Sequence, residues 1–257
     1  MTPGRADFSD HFSSVAEAYA VARPTYPPAL FDHLAGLAPS RTHAWDCAAG
    51  NGQATLALAE RFARVTATDA SGAQLAQAPH HPGITYRAGL AQESGLPDAS
   101  VDLVTVAQAL HWIDLPGFYG EVSRVLVAGG VLAVWCYGPQ RLDDEAVDER
   151  LAQFYGSVVG PYWAPERRLV ETGYRTVPFP FEELEARAFE MVHEWRLSEL
   201  LAYLRTWSAT SAFVHARGFD PVTALAEELG PSWGPADRRR RVRWPLSLRI
   251  GRLRRPT

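Results

Sequence analysis

A short segment near residue 50 places one acid and two glycines at a spacing that suits ligand binding. The segment reads WDCAAGNGQAT and contains Asp46, Gly50 and Gly52. Its apolar start predicts a strand, and the small residues that follow predict a sharp turn into a helix. Glycine accepts the backbone conformations of such a turn and lets a ligand come close to the main chain. The carboxylate of Asp46 would lie beside that turn, where it would attract a cationic group.

Two other interpretations of this turn stay open. A dinucleotide site requires a third small residue three positions after the second glycine, and this chain has Thr55 there. A carboxylate inside the strand would also repel a pyrophosphate, whereas it would favour the ammonium group of a cofactor that carries an amino acid. The turn could also be a plain strand-to-helix connection in which the acid only caps the helix.

A second acid, Asp69, ends the next predicted strand. An acid at this place in a doubly wound sheet can accept hydrogen bonds from the ribose hydroxyls of an adenosine. Asp69 or Ser71 could instead cap the helix that follows, and Ser71 can do so while Asp69 binds the ribose. Together with the acid and the two glycines of the first turn, Asp69 makes a pattern that is more specific than any of its members.

The elements around these residues alternate in a way that is typical of an α/β fold. In the first half, five short apolar runs alternate with segments whose apolar residues recur every three or four positions. We therefore expect a doubly wound, Rossmann-like sheet of seven mostly parallel strands, with helices on both faces and a small helical and aromatic cap. The predicted strands cover 44–48, 65–69, 84–88, 101–106, 131–137, 189–195 and 242–253. The predicted helices cover 54–64, 71–78, 118–127, 142–159, 198–208 with Ser198 as N-cap, and 222–229.

The 257 residues are expected to form one domain. The net charge of -4 gives no reason to expect nucleic acid or an anionic membrane as a partner. Neither an export signal nor a membrane span is evident in the sequence, so we expect a cytoplasmic location. Within the domain we expect N-terminal helices in 1–40, a cofactor-binding core in 41–139, a cap insertion in 140–185, and the last strands and helices in 186–257.

Further motifs accompany the pattern of acids and glycines: Tyr19-x-x-x-Arg23-Pro24-x-Tyr26-Pro27, the segment LPDASVDLV from Leu96, and QALHW over 108–112. With them, the sequence resembles the class I S-adenosylmethionine-dependent methyltransferases, and among these the methyltransferase type 11 domain family and the trans-aconitate methyltransferase-like proteins. The resemblance is firm over residues 8–137 and weaker beyond. Two residues depart from the family, since Ala48 stands where glycine is usual and Leu90 where a polar residue is frequent.

This resemblance implies a set of contacts with S-adenosylmethionine. Asp46 would orient the ammonium group of its methionine part, and Asp69 would bind its ribose hydroxyls. Tyr19 and Arg23 would close over the cofactor, or else belong to an ordinary amphipathic helix. The remaining implied contacts are Gly50 and Gly52 at the carboxylate and ribose, Ala70 against the adenine, Ala91 and Gln92 near its amino group, and the backbone carbonyl of Gln108 facing the ammonium.

Methyl transfer from a sulfonium requires aligned reactants and a dry site more than it requires acid–base groups. A general base is needed only when the acceptor must lose a proton. His111 is the candidate for that base, and plain packing beside Trp112 is the alternative. A carboxylate acceptor would need no base, and an arginine such as Arg23 or Arg205 would then hold it.

Aromatic residues predict a small planar or apolar acceptor, and Trp112, Tyr203 and Trp207 are the candidates for binding it, although each could instead belong to the core. We expect O-methylation of a carboxylate or hydroxyl on a small molecule, without a metal ion. A non-catalytic S-adenosylmethionine-binding regulatory protein and an NAD(P)-dependent oxidoreductase are the alternatives. The Arg-rich stretch 238–255 would favour methylation of RNA, but alternating arginines more often mark a solvated strand face.

Overall fold

A mixed β-sheet runs through the centre of the protein. The computed structural model describes residues 24–253, and within this range the sheet has nine strands. In chain order they are β1 His43–Cys47, β2 Arg64–Asp69, β3 Ile84–Ala88, β4 Val101–Ala107, β5 Leu126–Tyr137, β6 Arg141–Leu142, β7 Glu182–Leu184, β8 Phe189–Trp195 and β9 Arg240–Arg252.

The first five strands are parallel and lie in the order β3-β2-β1-β4-β5. Strand β9 pairs antiparallel with β5, and β6, β7 and β8 each pair antiparallel with β9. The α/β fold with a mostly parallel core is therefore confirmed. The sheet contains two strands more than the expected seven, because β6 and β7 have only two and three residues and show no readable periodicity.

Burial on both faces explains why the central strands are continuously apolar. All five residues of β1 are buried. Successive side chains point to opposite faces, so Ala44 packs into one hydrophobic cluster while Trp45 and Cys47 pack into the other. The parallel connections bring the carboxyl ends of β1, β2, β4 and β5 to one edge of the sheet, which is where such folds bind ligands.

The helices include the expected ones, in order but with different ends, and two over 167–171 and 208–217 that were not predicted. They are α1 Pro28–Leu37, α2 Gln53–Ala59, α3 Gly72–Leu75, α4 Leu115–Val125, α5 Glu145–Gln153, α6 Arg167–Glu171, α7 Leu197–Arg205, α8 Ser208–Arg217 and α9 Pro221–Trp233. Ser198 is not an N-cap, because α7 begins one residue earlier and the Glu199 carboxylate accepts the Arg196 backbone N–H at 2.7 Å. In the described range, no helix has the length and apolar character needed to cross a membrane.

The expected single helix over 142–159 is wrong. Helix α5 ends at Gln153, a π-helical turn covers Phe154–Val158, and a 3-10 turn covers Gly160–Tyr162. Single π-helical turns occur frequently at functional sites because they displace side chains from the regular helical spacing. This segment packs with α7, α8 and α9 in a third hydrophobic cluster rich in tyrosine and tryptophan.

Candidate functional site

The turn after β1 has the left-handed backbone that its glycines predict. Gly50 has φ +57° and Gly52 has φ +84°. A Cβ atom on Gly52 would lie 2.9 Å from the hydroxyl oxygen of Tyr86, which is itself hydrogen-bonded to the Pro79 carbonyl. Any other residue at this position would therefore meet both backbone strain and a clash. The main chain is left bare at the end of the strand, as a closely bound ligand requires.

Asp46 lies behind this turn and is completely buried. Its two carboxylate oxygens accept hydrogen bonds from the hydroxyls of Thr55 at 2.6 Å and Thr105 at 2.8 Å. Burial raises the pKa of Asp46 to about 6, although both hydrogen bonds oppose that shift. Among residues 24–253 no arginine or histidine forms an ion pair with it. A buried negative charge of this kind suits a ligand that brings its own cation.

Asp69 links the two loops at the ends of β1 and β2. Its carboxylate accepts the backbone N–H groups of Gly50 and Ser71, both at 2.8 Å. The Ser71 hydroxyl accepts the Gln74 backbone N–H at 3.3 Å and so caps α3. Ser71 therefore has the capping role that was left open, while ribose binding by Asp69 stays a prediction.

Three polar residues at this edge were missed by the sequence analysis. The hydroxyls of Thr55 and Thr105 hold Asp46, and Gln74 is buried beside the glycine turn. The Gln74 Oε1 atom has no hydrogen-bond partner and lies 3.7 Å from the Cβ position of Gly50. An unsatisfied acceptor next to bare main chain suits a ligand hydroxyl or amine. The sequence signal that could have identified Gln74 was its position three residues after Ser71, the N-cap of α3.

The other predicted cofactor contacts occupy neighbouring loops. Ala70 is exposed after β2, Ala91 packs partly on the core, and Gln92 is exposed. Leu90, which stands where a polar residue is frequent in the family, is 43% exposed to solvent. Tyr19 and Arg23 lie outside the described residues.

Gln108 follows β4 in a left-handed conformation, with φ +56°. Its side-chain amide is fixed to β5, because Nε2 donates to the Tyr137 carbonyl at 3.1 Å and Oε1 accepts the Tyr137 N–H at 2.8 Å. Since the amide is occupied, any contact of Gln108 with the cofactor would come from its main chain. A non-glycine residue in this conformation marks a place where the surrounding structure holds strain.

A cleft that is partly open to solvent lies beyond the ends of β4 and β5. Five predicted residues come together in its wall: Gln108, His111, Trp112, Tyr203 and Trp207. The wall is completed by Tyr137, Gly138, Trp163, Ala164, Arg167 and Ser208, and it contains no Asp or Glu from the described range.

His111 sits in a 3-10 turn at this wall and is partly buried. Its Nδ1 atom lies 2.9 Å from the hydroxyl of Tyr174, and its ring lies against Trp112 with centroids 4.7 Å apart. Burial, and next the positive charge of Arg167, lower the pKa of His111 to about 3. The ring therefore stays neutral at physiological pH.

Arg167 is the cation of the pocket and was missed by the sequence analysis. Its guanidinium lies 4.5 Å from the Trp163 ring centroid, and its Nε donates to the Tyr155 hydroxyl at 2.8 Å. Arg205, the arginine expected to hold a carboxylate, instead pairs with Asp220 at 2.7 Å and is not part of the pocket wall. Within the described range, no cluster of three or more His, Cys, Asp or Glu residues could hold a metal ion.

Comparison with known proteins agrees with this geometry. A methyltransferase domain family matches residues 45–134. A candidate methyltransferase of Dictyostelium discoideum is 32% identical over 240 residues, which cover 91% of this chain and 90% of that protein. An uncharacterized methyltransferase of Mycobacterium tuberculosis is 37% identical over 232 residues, which cover 88% of this chain and 89% of that protein. The structure of a candidate type II methyltransferase from Anaeromyxobacter dehalogenans superposes with a TM-score of 0.86 at 46% identity, covering 91% of this chain and 99% of that one.

The turn also fits S-adenosylmethionine in charge and shape. The buried carboxylate of Asp46 would be balanced by an ammonium group, and the bare glycines leave space beside the main chain. The third position of a dinucleotide fingerprint is Thr55, whose hydroxyl is bound to the same carboxylate. These relatives and this site set aside the oxidoreductase and the non-catalytic alternatives. The chain belongs to the class I S-adenosylmethionine-dependent methyltransferases, and S-adenosylmethionine is its methyl donor.

Proposed function

We propose that this enzyme methylates a carboxylate oxygen of a small planar molecule. The observation that carries the proposal is Arg167, a cation in an aromatic pocket whose described wall contains no acid. A guanidinium binds a carboxylate through two parallel hydrogen bonds, and it also stacks on planar groups. Trp112, Trp163 and Trp207 would enclose the apolar part of the acceptor.

Arg167 is oriented for this task by its neighbours. Tyr155, from the π-helical turn, accepts a hydrogen bond from the guanidinium Nε and donates one to Glu171 at 2.6 Å. The two terminal nitrogens of the guanidinium have no hydrogen-bond partner among the described residues. They are the pair of donors that a carboxylate would engage.

We further propose that the cofactor lies between the glycine turn and this pocket, held by Asp46, Gly50, Gly52, Asp69 and the main chain of Gln108. Thr105, which binds Asp46, and Gln108 belong to one strand end, and three residues of strand span about 10 Å. With its ammonium group at Asp46, the cofactor would span this separation with its methionine part and bring its methyl group to the inner end of the pocket.

Bound S-adenosylmethionine supplies a methyl group on a sulfonium, which is a good leaving group. A carboxylate oxygen attacks without first losing a proton, so the protein need only align the reactants and exclude water. A general base needs a pKa near the operating pH, and the surroundings of His111 hold its pKa far below that range. These conditions favour a carboxylate over a hydroxyl acceptor.

The same contacts support a small acceptor rather than RNA, within a one-domain protein in which 140–185 covers the pocket. Trp163, Ala164 and Arg167 come from that segment. Three of the five arginines of the last strand form ion pairs, since Arg240 pairs with Asp144 at 2.7 Å, Arg243 with Asp143 and Arg249 with Glu183. Little uncompensated positive charge is left there to bind phosphates.

The test is a matched panel of planar acceptors in which one ring system carries a carboxylate, a primary amide or a hydroxymethyl group. Methylated products would be identified by mass spectrometry. We expect methyl esters from the acids alone. Arg167→Gln should lower kcat/KM for the acids by about 10–100-fold, the effect of losing a charged hydrogen bond. The adjacent, exposed Arg168 provides the control substitution Arg168→Gln, which should change nothing. Turnover of the hydroxymethyl compound alone would refute the proposal.

A further inference from the structure

Tyr174 has a backbone conformation and a position that packing alone does not explain. It is fully buried, and its φ is +59°. Bulky residues rarely adopt this left-handed conformation. Gly173, which precedes it, has φ +61°, and a Cβ there would lie 2.6 Å from the Ser247 hydroxyl oxygen. Two consecutive left-handed residues thus direct the tyrosine ring toward His111, which lines the acceptor pocket.

The surrounding structure holds this turn in place from β9. Arg249 donates from one guanidinium nitrogen to the carbonyls of Tyr174 at 2.8 Å and Val177 at 2.7 Å. The same guanidinium pairs with Glu183 on β7. Backbone strain of this kind, a bulky residue at positive φ, persists mostly at functional sites, where a side chain must be placed accurately.

The Tyr174 hydroxyl is directed at one atom of the pocket wall, Nδ1 of His111, at 2.9 Å. Burial keeps the pKa of Tyr174 well above its usual value. The phenol therefore retains its proton. Among residues 24–253, Nδ1 of His111 is the one hydrogen-bond partner of this buried hydroxyl. A buried donor is almost always satisfied, so the phenol proton is donated to Nδ1. A neutral imidazole that accepts at Nδ1 carries its own proton on Nε2.

We propose that Tyr174 is a positioning residue that fixes His111 as the Nε2–H tautomer, so that His111 donates a hydrogen bond to the acceptor carboxylate beside Arg167. This inference rests on the proposed function, since the carboxylate is the group that would receive the bond. Nδ1 of His111 is bonded to Tyr174, whereas its Nε2 has no hydrogen-bond partner among residues 24–253 and is not among their fully buried polar atoms. Since His111 lines the pocket, Nε2 is the ring nitrogen left to meet an acceptor there.

The charges around His111 are consistent with a neutral donor. The positive charge of Arg167 acts on the ring and opposes a second positive charge there. The two aromatic rings that contact the imidazole in the described structure, Trp112 and Tyr174, are uncharged. A fixed N–H group adds a directional contact to the charge of Arg167 and so defines the orientation of the carboxylate. Loss of orientation should raise KM for the acceptor more than it lowers kcat.

The experiment compares Tyr174→Phe with Tyr119→Phe. Tyr119 belongs to the same hydrophobic cluster and donates a single hydrogen bond, to the Pro178 carbonyl at 2.7 Å, away from the pocket. NMR of the protein labelled with ¹⁵N-histidine reports which ring nitrogen of His111 carries the proton, and His111→Gln assigns the signal. We expect the Nε2–H tautomer in the parent protein and in Tyr119→Phe, and a mixture of tautomers in Tyr174→Phe. KM for a carboxylate acceptor should rise about 10-fold in Tyr174→Phe alone, with unchanged affinity for S-adenosylmethionine by calorimetry.

A second pair of variants covers the case in which Tyr174→Phe does not fold. The Gln amide keeps an N–H donor near the position of Nε2, so His111→Gln should retain more acceptor affinity than His111→Ala. An Nδ1–H tautomer in the parent protein, or equal KM values in both His111 variants, would overturn the inference while leaving turnover of carboxylates intact. Failure of every carboxylate in the acceptor panel, with the Nε2–H tautomer present, would instead overturn the proposed function and the acceptor contact drawn from it.

Discussion

The two sides of the active site use the polypeptide differently. The proposed cofactor side comes mainly from the stretch between Asp46 and Gln74, and its described hydrogen bonds depend largely on main-chain groups and glycine conformations. The acceptor side draws side chains from separate segments between Gln108 and Ser208, and most of them are aromatic. The first side admits little change, since backbone and burial fix its geometry. The acceptor side can become specific for a different acceptor when its side chains are substituted, because the backbone that carries them need not change.

Because the two sides are built differently, substitutions should separate them. Changes in the glycine turn should alter the affinity for S-adenosylmethionine and leave the acceptor pocket intact. Changes around Arg167 should do the reverse. A substitution that altered both affinities equally would show that the two sides are coupled through the sheet.

The largest effect is expected from Gly52→Ala. The new methyl group would meet the Tyr86 hydroxyl at 2.9 Å while the backbone remains at φ +84°. We expect a loss of affinity for S-adenosylmethionine of more than about 100-fold, and a loss of stability of about 1–3 kcal/mol. Calorimetric titration and thermal unfolding would measure these effects. Gly36→Ala is the control, because the Cβ position there meets nothing within 4 Å in α1. If Gly52→Ala bound S-adenosylmethionine with unchanged affinity, the glycine turn would not be part of the cofactor site.

The next largest effect is expected from Asp46→Asn, which removes the buried charge. The amide keeps an acceptor for one of the two threonine hydroxyls, and the other hydroxyl can accept from the new NH2 group. Affinity for S-adenosylmethionine should fall by about 10–100-fold, while stability should change little. Asp102, a buried acid at the other end of β4, provides the control Asp102→Asn. Equal affinities in the parent and Asp46→Asn would show that the ammonium lies elsewhere.

The same residue predicts a dependence on pH. Because the pKa of Asp46 is raised to about 6, the folded protein without ligand binds this proton more tightly than the unfolded chain does. Its contribution to stability is therefore lost as pH rises from about 4 to about 6. A bound ammonium lowers the pKa, so affinity for S-adenosylmethionine should fall as pH drops through about 6, with proton release on binding. Asp46→Asn should show a flatter profile, and a parallel profile in both proteins would exclude Asp46 as the cause.

The conformation of the glycine turn could be predicted from the sequence more readily than the contacts of the acceptor side, for a physical reason. Asp46, Gly50 and Gly52 lie within seven consecutive residues, so their spacing carries the information. Arg167 and Tyr174 meet His111 only through long-range packing, and their conformations depend on the π-helical turn and on a left-handed pair. No local pattern encodes such contacts. Thr105 was missed for the same reason, since 59 positions separate it from the acid it binds. Thr55 lies only nine positions from Asp46, but it was considered solely as a departure from a dinucleotide fingerprint.

A smaller effect is expected from Tyr155→Phe on the acceptor side. The loss of this hydroxyl releases the Arg167 Nε and ends its link to Glu171. KM for a carboxylate acceptor should rise about 3–10-fold because Arg167 is less well oriented, which corresponds to about 1 kcal/mol. Affinity for S-adenosylmethionine should not change. Tyr162→Phe is the matched control on the same segment, since its hydroxyl accepts from Arg217 instead. A rise in KM of equal size in both variants would assign the effect to packing.

The smallest effect is expected from Ala48→Gly, on the cofactor side. Ala48 has φ +55°, where an alanine is disfavoured by about 1–2 kcal/mol relative to glycine. Glycine also makes the unfolded chain more flexible, at a cost of about 0.5–1 kcal/mol. We therefore expect a net gain in stability of about 0.5–1 kcal/mol, measured by denaturant unfolding. The neighbouring substitution Ala49→Gly has only the unfavourable contribution, because Ala49 is not left-handed, and it should destabilise the protein. If both variants lost the same stability, the left-handed turn would not be strained, and its rigidity would have to come from side-chain contacts, as it does in the acceptor pocket.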